Sequence, residues 1–147
     1  MKGKSEKFLF VATVMILLMS GCGSNKILPR SLTVTFSGNK CSYSVEKAVA
    51  AGEINFILID NNPDLDAAMI ALTLDKGKTV EDLKALPVNQ GDDPLWSHRV
   101  GAPDRHVRPG ASYTFKATIK KGPIYLICLS GSPEGISGVL GPIEVTR

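Results

Sequence analysis

The sequence predicts an all-β sandwich of about seven strands with one short helix. Three observations carry this. From Leu32 onward apolar residues recur mostly at a period of two, the signature of half-buried strands. Clusters of Gly, Pro, Asn and Asp interrupt these runs at short spacing, as turns do in sandwiches. The 147 residues are 44% hydrophobic and 21% charged, which excludes a disordered or collagen-like chain and fits one ordinary domain.

The elements run in order along the chain. Leu32, Val34 and Phe36 alternate with Thr33 and Thr35, and Ser37-Gly38-Asn39 turns the chain. Cys41 to Val45 is the returning strand, and Ala50-Ala51-Gly52 breaks it off. Ile54 to Asp60 is almost wholly apolar and β-branched, so it reads as a central strand buried on both sides. Asn61-Asn62-Pro63-Asp64 is a strong turn, and Ala67 to Leu74 a further strand. Thr79 to Leu86 is the helix: Thr79 caps it, Asp82 stands three residues on as in a capping box, Val80, Leu83 and Leu86 share a face, and Pro87 stops it. Val88 to Pro109 reads as one long loop. Ser112 to Ile119 alternates Tyr113, Phe115 and Ala117 with polar partners. Lys120-Lys121-Gly122 turns into a buried strand from Pro123 to Leu129, and Val139 to Val145 closes the chain.

The N-terminus reads as an address. Lys2, Lys4 and Lys7 precede Phe8 to Met19, an uncharged apolar run. These twelve residues would rise about 18 Å as helix, short of a hydrocarbon core of about 30 Å. A basic start, a short apolar core and small residues after it describe a secretory signal. Met19-Ser20-Gly21-Cys22 then resembles the lipobox of bacterial lipoproteins, with Met19 where Leu is usual. The resemblance implies cleavage before Cys22 and a diacylglycerol on its thiol. It divides the chain into a signal peptide (1–21), a lipidated tether (22–30) and a sandwich domain (31–147). More than one acyl chain anchors stably, and Gly23 to Arg30 reaches at most about 28 Å, so the domain would sit close to the membrane. With Gly23 rather than Asp after the lipidated cysteine, the sorting pattern of such proteins implies the outer membrane in a two-membrane cell.

The net charge of +3 lies largely in the first seven residues. The remainder is close to neutral with mixed signs, which argues against a nucleic-acid partner.

The second half carries a further resemblance. Val107-Arg-Pro-Gly110, the Tyr113/Phe115 strand, Gly122-Pro-Ile-Tyr-Leu-Ile-Cys128, Gly138-Val-Leu-Gly141 and Ile143-Glu-Val145 occur in an order similar to the cupredoxin-like family. This implies a cupredoxin-like Greek-key β-sandwich over roughly Leu32 to Val145. In copper-binding members a Cys thiolate is joined by two His and usually a Met, a trigonal site with a weak axial sulfur. Here the loop after Asp60 has no His, none follows Cys128 through Glu134, and Leu140 stands where the late Met is expected. Of the four ligands only Cys128 remains, and no C-x₃-C pair offers a dinuclear site.

With Cys22 assigned to lipid, Cys41 and Cys128 remain. An oxidising compartment favours a disulfide, and strands near the start and end of such a sandwich are commonly neighbours, so a Cys41–Cys128 bridge is expected. Two buried free thiols, or a redox pair without C-x-x-C spacing, are the alternatives.

His98 and His106 are the only histidines, and with Asp92, Asp93 and Asp104 nearby they admit a metal site of two His and a carboxylate. Arg99, Arg105 and Arg108 share that loop and could meet an anionic ligand or lipid headgroups. Trp96 reads as a loop anchor on the core. No serine-hydrolase elbow, phosphate-binding loop or dinucleotide fingerprint occurs. The expectation is a membrane-anchored, non-catalytic module without cofactor, binding an envelope protein or a small ligand, with the 88–109 loop as the seat of specificity. The alternative is a metal-handling or electron-transfer protein with an atypical site.

Overall fold

The computed structural model describes residues 28–38, 40–44, 48–86, 93–131 and 136–147. The leader, Cys22, most of the tether, Pro87 and Asp92 lie outside the described residues. Among those described, no helix is long and apolar enough to cross a membrane.

Among the described residues nine strands form two sheets: β1 (Ser31–Ser37), β2 (Lys40–Ser44), β3 (Ala48–Ala50), β4 (Gly52–Asp60), β5 (Ala67–Leu74), β6 (Ser97–Gly101), β7 (Ser112–Ile119), β8 (Ile124–Ser130) and β9 (Ile136–Thr146). One helix, α1 (Val80–Lys84), lies between β5 and β6. The first sheet runs β2-β1-β4-β7 and the second β3-β9-β8-β5-β6. β1 is parallel to β4 and β3 to β9, while the other pairs are antiparallel.

Alternation places the core. Leu32, Val34 and Phe36 of β1, Ile54, Phe56 and Leu58 of β4, and Ala117 and Ile119 of β7 face the second sheet's Met69, Ala71, Ile124, Leu126 and Ile143. Phe56 and Phe115 are register partners and stack with ring centroids 5.0 Å apart. β8 carries a second layer. Ile124, Leu126 and Cys128 point into the sandwich, whereas Tyr125 and Ile127 join Leu72 and Leu83 in a separate cluster under α1. Trp96 packs against that cluster, with the Lys78 ammonium 5.0 Å from its ring centroid, so it does anchor its loop to apolar side chains.

Several elements differ from the sequence reading. Ile54 to Asp60 is not buried on both sides: Asn55, Ile57 and Ile59 are half-buried, because among the described residues no further layer covers that face of the first sheet. The double burial belongs to β8, which has α1 on its outer side. The 88–109 segment is not one loop, since Ser97–Gly101 pairs with β5. A three-residue strand, β3, pairs with the C-terminal end of β9. The closing strand begins at Ile136 rather than Val139.

Gly141 shows why that last strand needs its glycine. Its φ is +122°, and a Cβ there would lie 2.9 Å from the Ile124 carbonyl oxygen, so a side chain fails on both counts.

Candidate functional site

Two regions bring together residues capable of chemistry or binding. The first is the end of the sandwich where β2, α1 and the start of β9 converge. Cys41 on β2 is joined to Cys128 on β8, so an edge strand of one sheet is stapled to a central strand of the other. Cys128 is fully buried, and Cys41 is partly so. The bridge passes over Gly138, the register partner of Cys128, where a Cβ would sit 3.1 Å from Cys41 Sγ. The Ser137 hydroxyl donates to the Cys128 carbonyl at 3.2 Å and fixes the adjoining strand.

Beside the staple lies an open groove of about 470 Å³. Leu83 and Leu86 form one wall, and Ile136, Val139 and Leu140 form the floor. Lys40 on β2 and Lys84 on α1 also line it, and among the described residues no acidic side chain does. β3 pairs only with Glu144 to Thr146, so among the described residues β9 has no paired strand on its outer side along Ile136–Leu140.

The second region is Asp93 to Tyr113. Val107 is held by reciprocal backbone hydrogen bonds to Ala67, at 2.7 and 2.8 Å. Arg108-Pro109-Gly110-Ala111 is then a tight turn: the Ala111 N–H donates to the Arg108 carbonyl at 3.0 Å, and Gly110 has φ +74°. Its return is tied to β4, because Gly110 donates to the Asp60 carbonyl and Asp60 to that of Ala111.

Two of the arginines here are paired with aspartates, while Arg108 is exposed on the turn. Arg99 grips Asp93 through Nε and Nη2 at 2.8 and 2.9 Å. Arg105 donates to Asp104 at 3.1 Å and lies 5.3 Å from the Tyr113 ring centroid. The Arg105 guanidinium, and then the Tyr113 hydroxyl, hold the Asp104 carboxyl below its ordinary range, and Asp104 in turn pushes the Tyr113 hydroxyl up. His98 Nε2 lies 2.9 Å from Asp75 Oδ1, and both side chains are more than half exposed. His106 is exposed beside two shallow cavities of about 270 and 410 Å³, which share it and Arg105.

The sequence grouped His98, His106 and the aspartates on one loop, and the fold separates them. His98 belongs to β6 and turns to Asp75, Asp93 to Arg99 and Asp104 to Arg105. Among the described residues no three His, Cys, Asp or Glu side chains gather closely enough to hold a metal ion. A buried polar pair was not singled out from the sequence. Asp60 ends β4 and Asn62 follows it, with Asp60 Oδ1 accepting the Asn62 N–H at 2.9 Å, while among the described residues Asp60 Oδ2 and Asn62 Nδ2 have no partner. The groove lysines were also missed, since nothing at positions 40 and 84 marks them until the fold brings β2 and α1 together.

Compared with solved structures, the chain is similar to a crystal structure of sodium-dithionite-reduced auracyanin from the photosynthetic bacterium Roseiflexus castenholzii. The TM-score is 0.50 at 17% sequence identity, covering 82% of this chain and 99% of that one. The fold is cupredoxin-like. No family model matches the sequence and no curated protein matches it. At this identity the likeness to a cupredoxin concerns architecture alone, and architecture does not carry function. It does give the disulfide a context: Cys128 lies on β8, the strand on which the sequence resemblance placed a thiolate ligand, and its sulfur is bonded to Cys41 instead.

Proposed function

We propose that this chain is a lipid-anchored protein of the cell envelope. Its cupredoxin-like domain serves as a non-catalytic, copper-free binding module on the extracytoplasmic side of the membrane. The bonding of Cys128 to Cys41 carries the copper-free part. A trigonal copper centre of this fold takes a thiolate, two imidazoles and a weak axial sulfur. The residues present do not fit that set. The sulfur is spent, His98 faces Asp75, and the loop Asn61 to Asp66 offers no imidazole. The anchor rests on Met19-Ser20-Gly21-Cys22 directly after a short apolar signal core.

Two measurements on the full chain test the two parts. Cells grown with labelled palmitate should place label on the wild-type protein and none on Cys22→Ser. Copper titration followed by native mass should give no stoichiometric adduct. Label retained by Cys22→Ser overturns the anchor. One tightly held copper, lost from a His98→Ala/His106→Ala double variant, overturns the copper-free reading in favour of a metal-handling or electron-transfer protein.

A further inference from the structure

The groove between β2, α1 and β9 combines features that a merely solvated surface lacks. Its volume of about 470 Å³ falls in the range of small-ligand sites, about 300–1,000 Å³. Its floor and one wall are aliphatic. Among the described residues its charged lining consists of Lys40 and Lys84, which approach from different elements. Among the described residues neither lysine has an ion-pair partner, although Lys78, Arg99, Arg105 and Lys116 all do. Cys41 of the disulfide is among its lining residues, so the β2 side is covalently tied to β8 before a ligand arrives.

We propose that this groove binds a single-chain amphiphile with an anionic head, of which a long-chain fatty acid is the simplest case. The chain lies along Leu83, Leu86, Val139 and Leu140, and the carboxylate is held at the lysine margin. The aliphatic lining gains by removing a chain from water, and an apolar chain alone would leave the lysines without a role. A lysine stem adds apolar surface while its ammonium stays at the water boundary, which suits a ligand whose head remains solvated. This inference deepens the binding-module reading, rests on it, and names its ligand class.

The test is photolabelling of the full chain with a diazirine-bearing fatty acid, with crosslinked peptides located by mass. Label is expected on α1 and on Ile136–Leu140, displaced by excess unlabelled fatty acid. Reversing both charges, with Lys40→Glu and Lys84→Glu together, should cut labelling about tenfold, the scale of losing and inverting two partly exposed ion pairs. The methyl ester of the same probe should label wild type and variant alike. Retention of the Cys41–Cys128 bond in the variant, read from the same mass data, shows that it has folded. Label confined to other peptides, equal labelling by acid and ester, or indifference to charge reversal each overturns the proposal. The copper titration reads the binding-module reading separately: a protein that takes copper yet labels as expected loses that reading and keeps the ligand site.

Discussion

Position 138 sits opposite Cys128 with the Cys41 sulfur above it, so the residue there is chosen by the disulfide rather than by the strand. Elsewhere on a strand valine would be welcome. Here Gly138→Val should lower the unfolding free energy by about 1–3 kcal/mol through overpacking. In a Cys41→Ala background the same change should cost little or help, a coupling that a double-mutant cycle of urea unfolding measures. Equal costs in both backgrounds would mean that the sulfur is not what excludes a side chain. Asp60 makes a different case. Asp60→Ala should cost about 1–3 kcal/mol, because it leaves a buried N–H of Asn62 without its acceptor. Asp60→Asn retains an acceptor and should cost less by the same unfolding measurement. The glycine was legible as part of a Gly138-Val-Leu-Gly141 pattern, but its reason was not, because the sulfur above it arrives from nearly a hundred residues earlier.

α1 covers a cluster distinct from the main core, and its stability should be separable from that of the sandwich. Asp82 accepts from the Thr79 N–H at 2.8 Å and from its hydroxyl at 3.1 Å, and the first of these holds its carboxyl below the ordinary 3.8. A depressed carboxylate stabilises the fold above its unfolded pKa, and that contribution is lost as pH falls through the folded value. The protection of residues 80–86 against hydrogen exchange, corrected for the pH dependence of intrinsic exchange, should therefore fall below about pH 4. In Asp82→Ala the exchange should already be faster at neutral pH and lack that step. Leu83→Ala, at a position 1% exposed, should cost about 2–5 kcal/mol if α1 unfolds with the sandwich, and little if it opens alone. The helix was readable because capping, apolar spacing and a terminal proline agreed. β6 was not, because Ser97-His-Arg-Val-Gly shows no alternation and has a single large apolar residue, Val100, and its strand form is set by pairing with β5. Ile54–Asp60 and Pro123–Leu129 look alike in composition. Only tertiary structure decides which receives a second layer, and the helix settles on β8.

The whole molecule is held at two levels, a core between sheets and one covalent bond across them. The bridged residues are separated by 87 positions, for which chain entropy gives about 4–5 kcal/mol and experience with native disulfides about 2–5. Replacing both cysteines by alanine should lower unfolding free energy by that lesser range, while far-ultraviolet circular dichroism stays that of a β protein. The fold and the cysteine pair were legible because alternation and cysteine count are properties of the chain itself. The groove was not, because its lining comes from three elements that are far apart in sequence and meet only across the closed sandwich.

The position of that bond also governs how the molecule would behave under tension. A pull applied between the N-terminal tether and the C-terminus can straighten only the segment before Cys41 and the segment after Cys128. The chain between them is a closed ring that carries load through one sulfur–sulfur bond. At full extension those 87 positions represent roughly 300 Å of contour length. A molecule stretched between two surfaces should therefore yield a short extension and then stiffen. Adding a reducing agent should release the withheld length in a single further step.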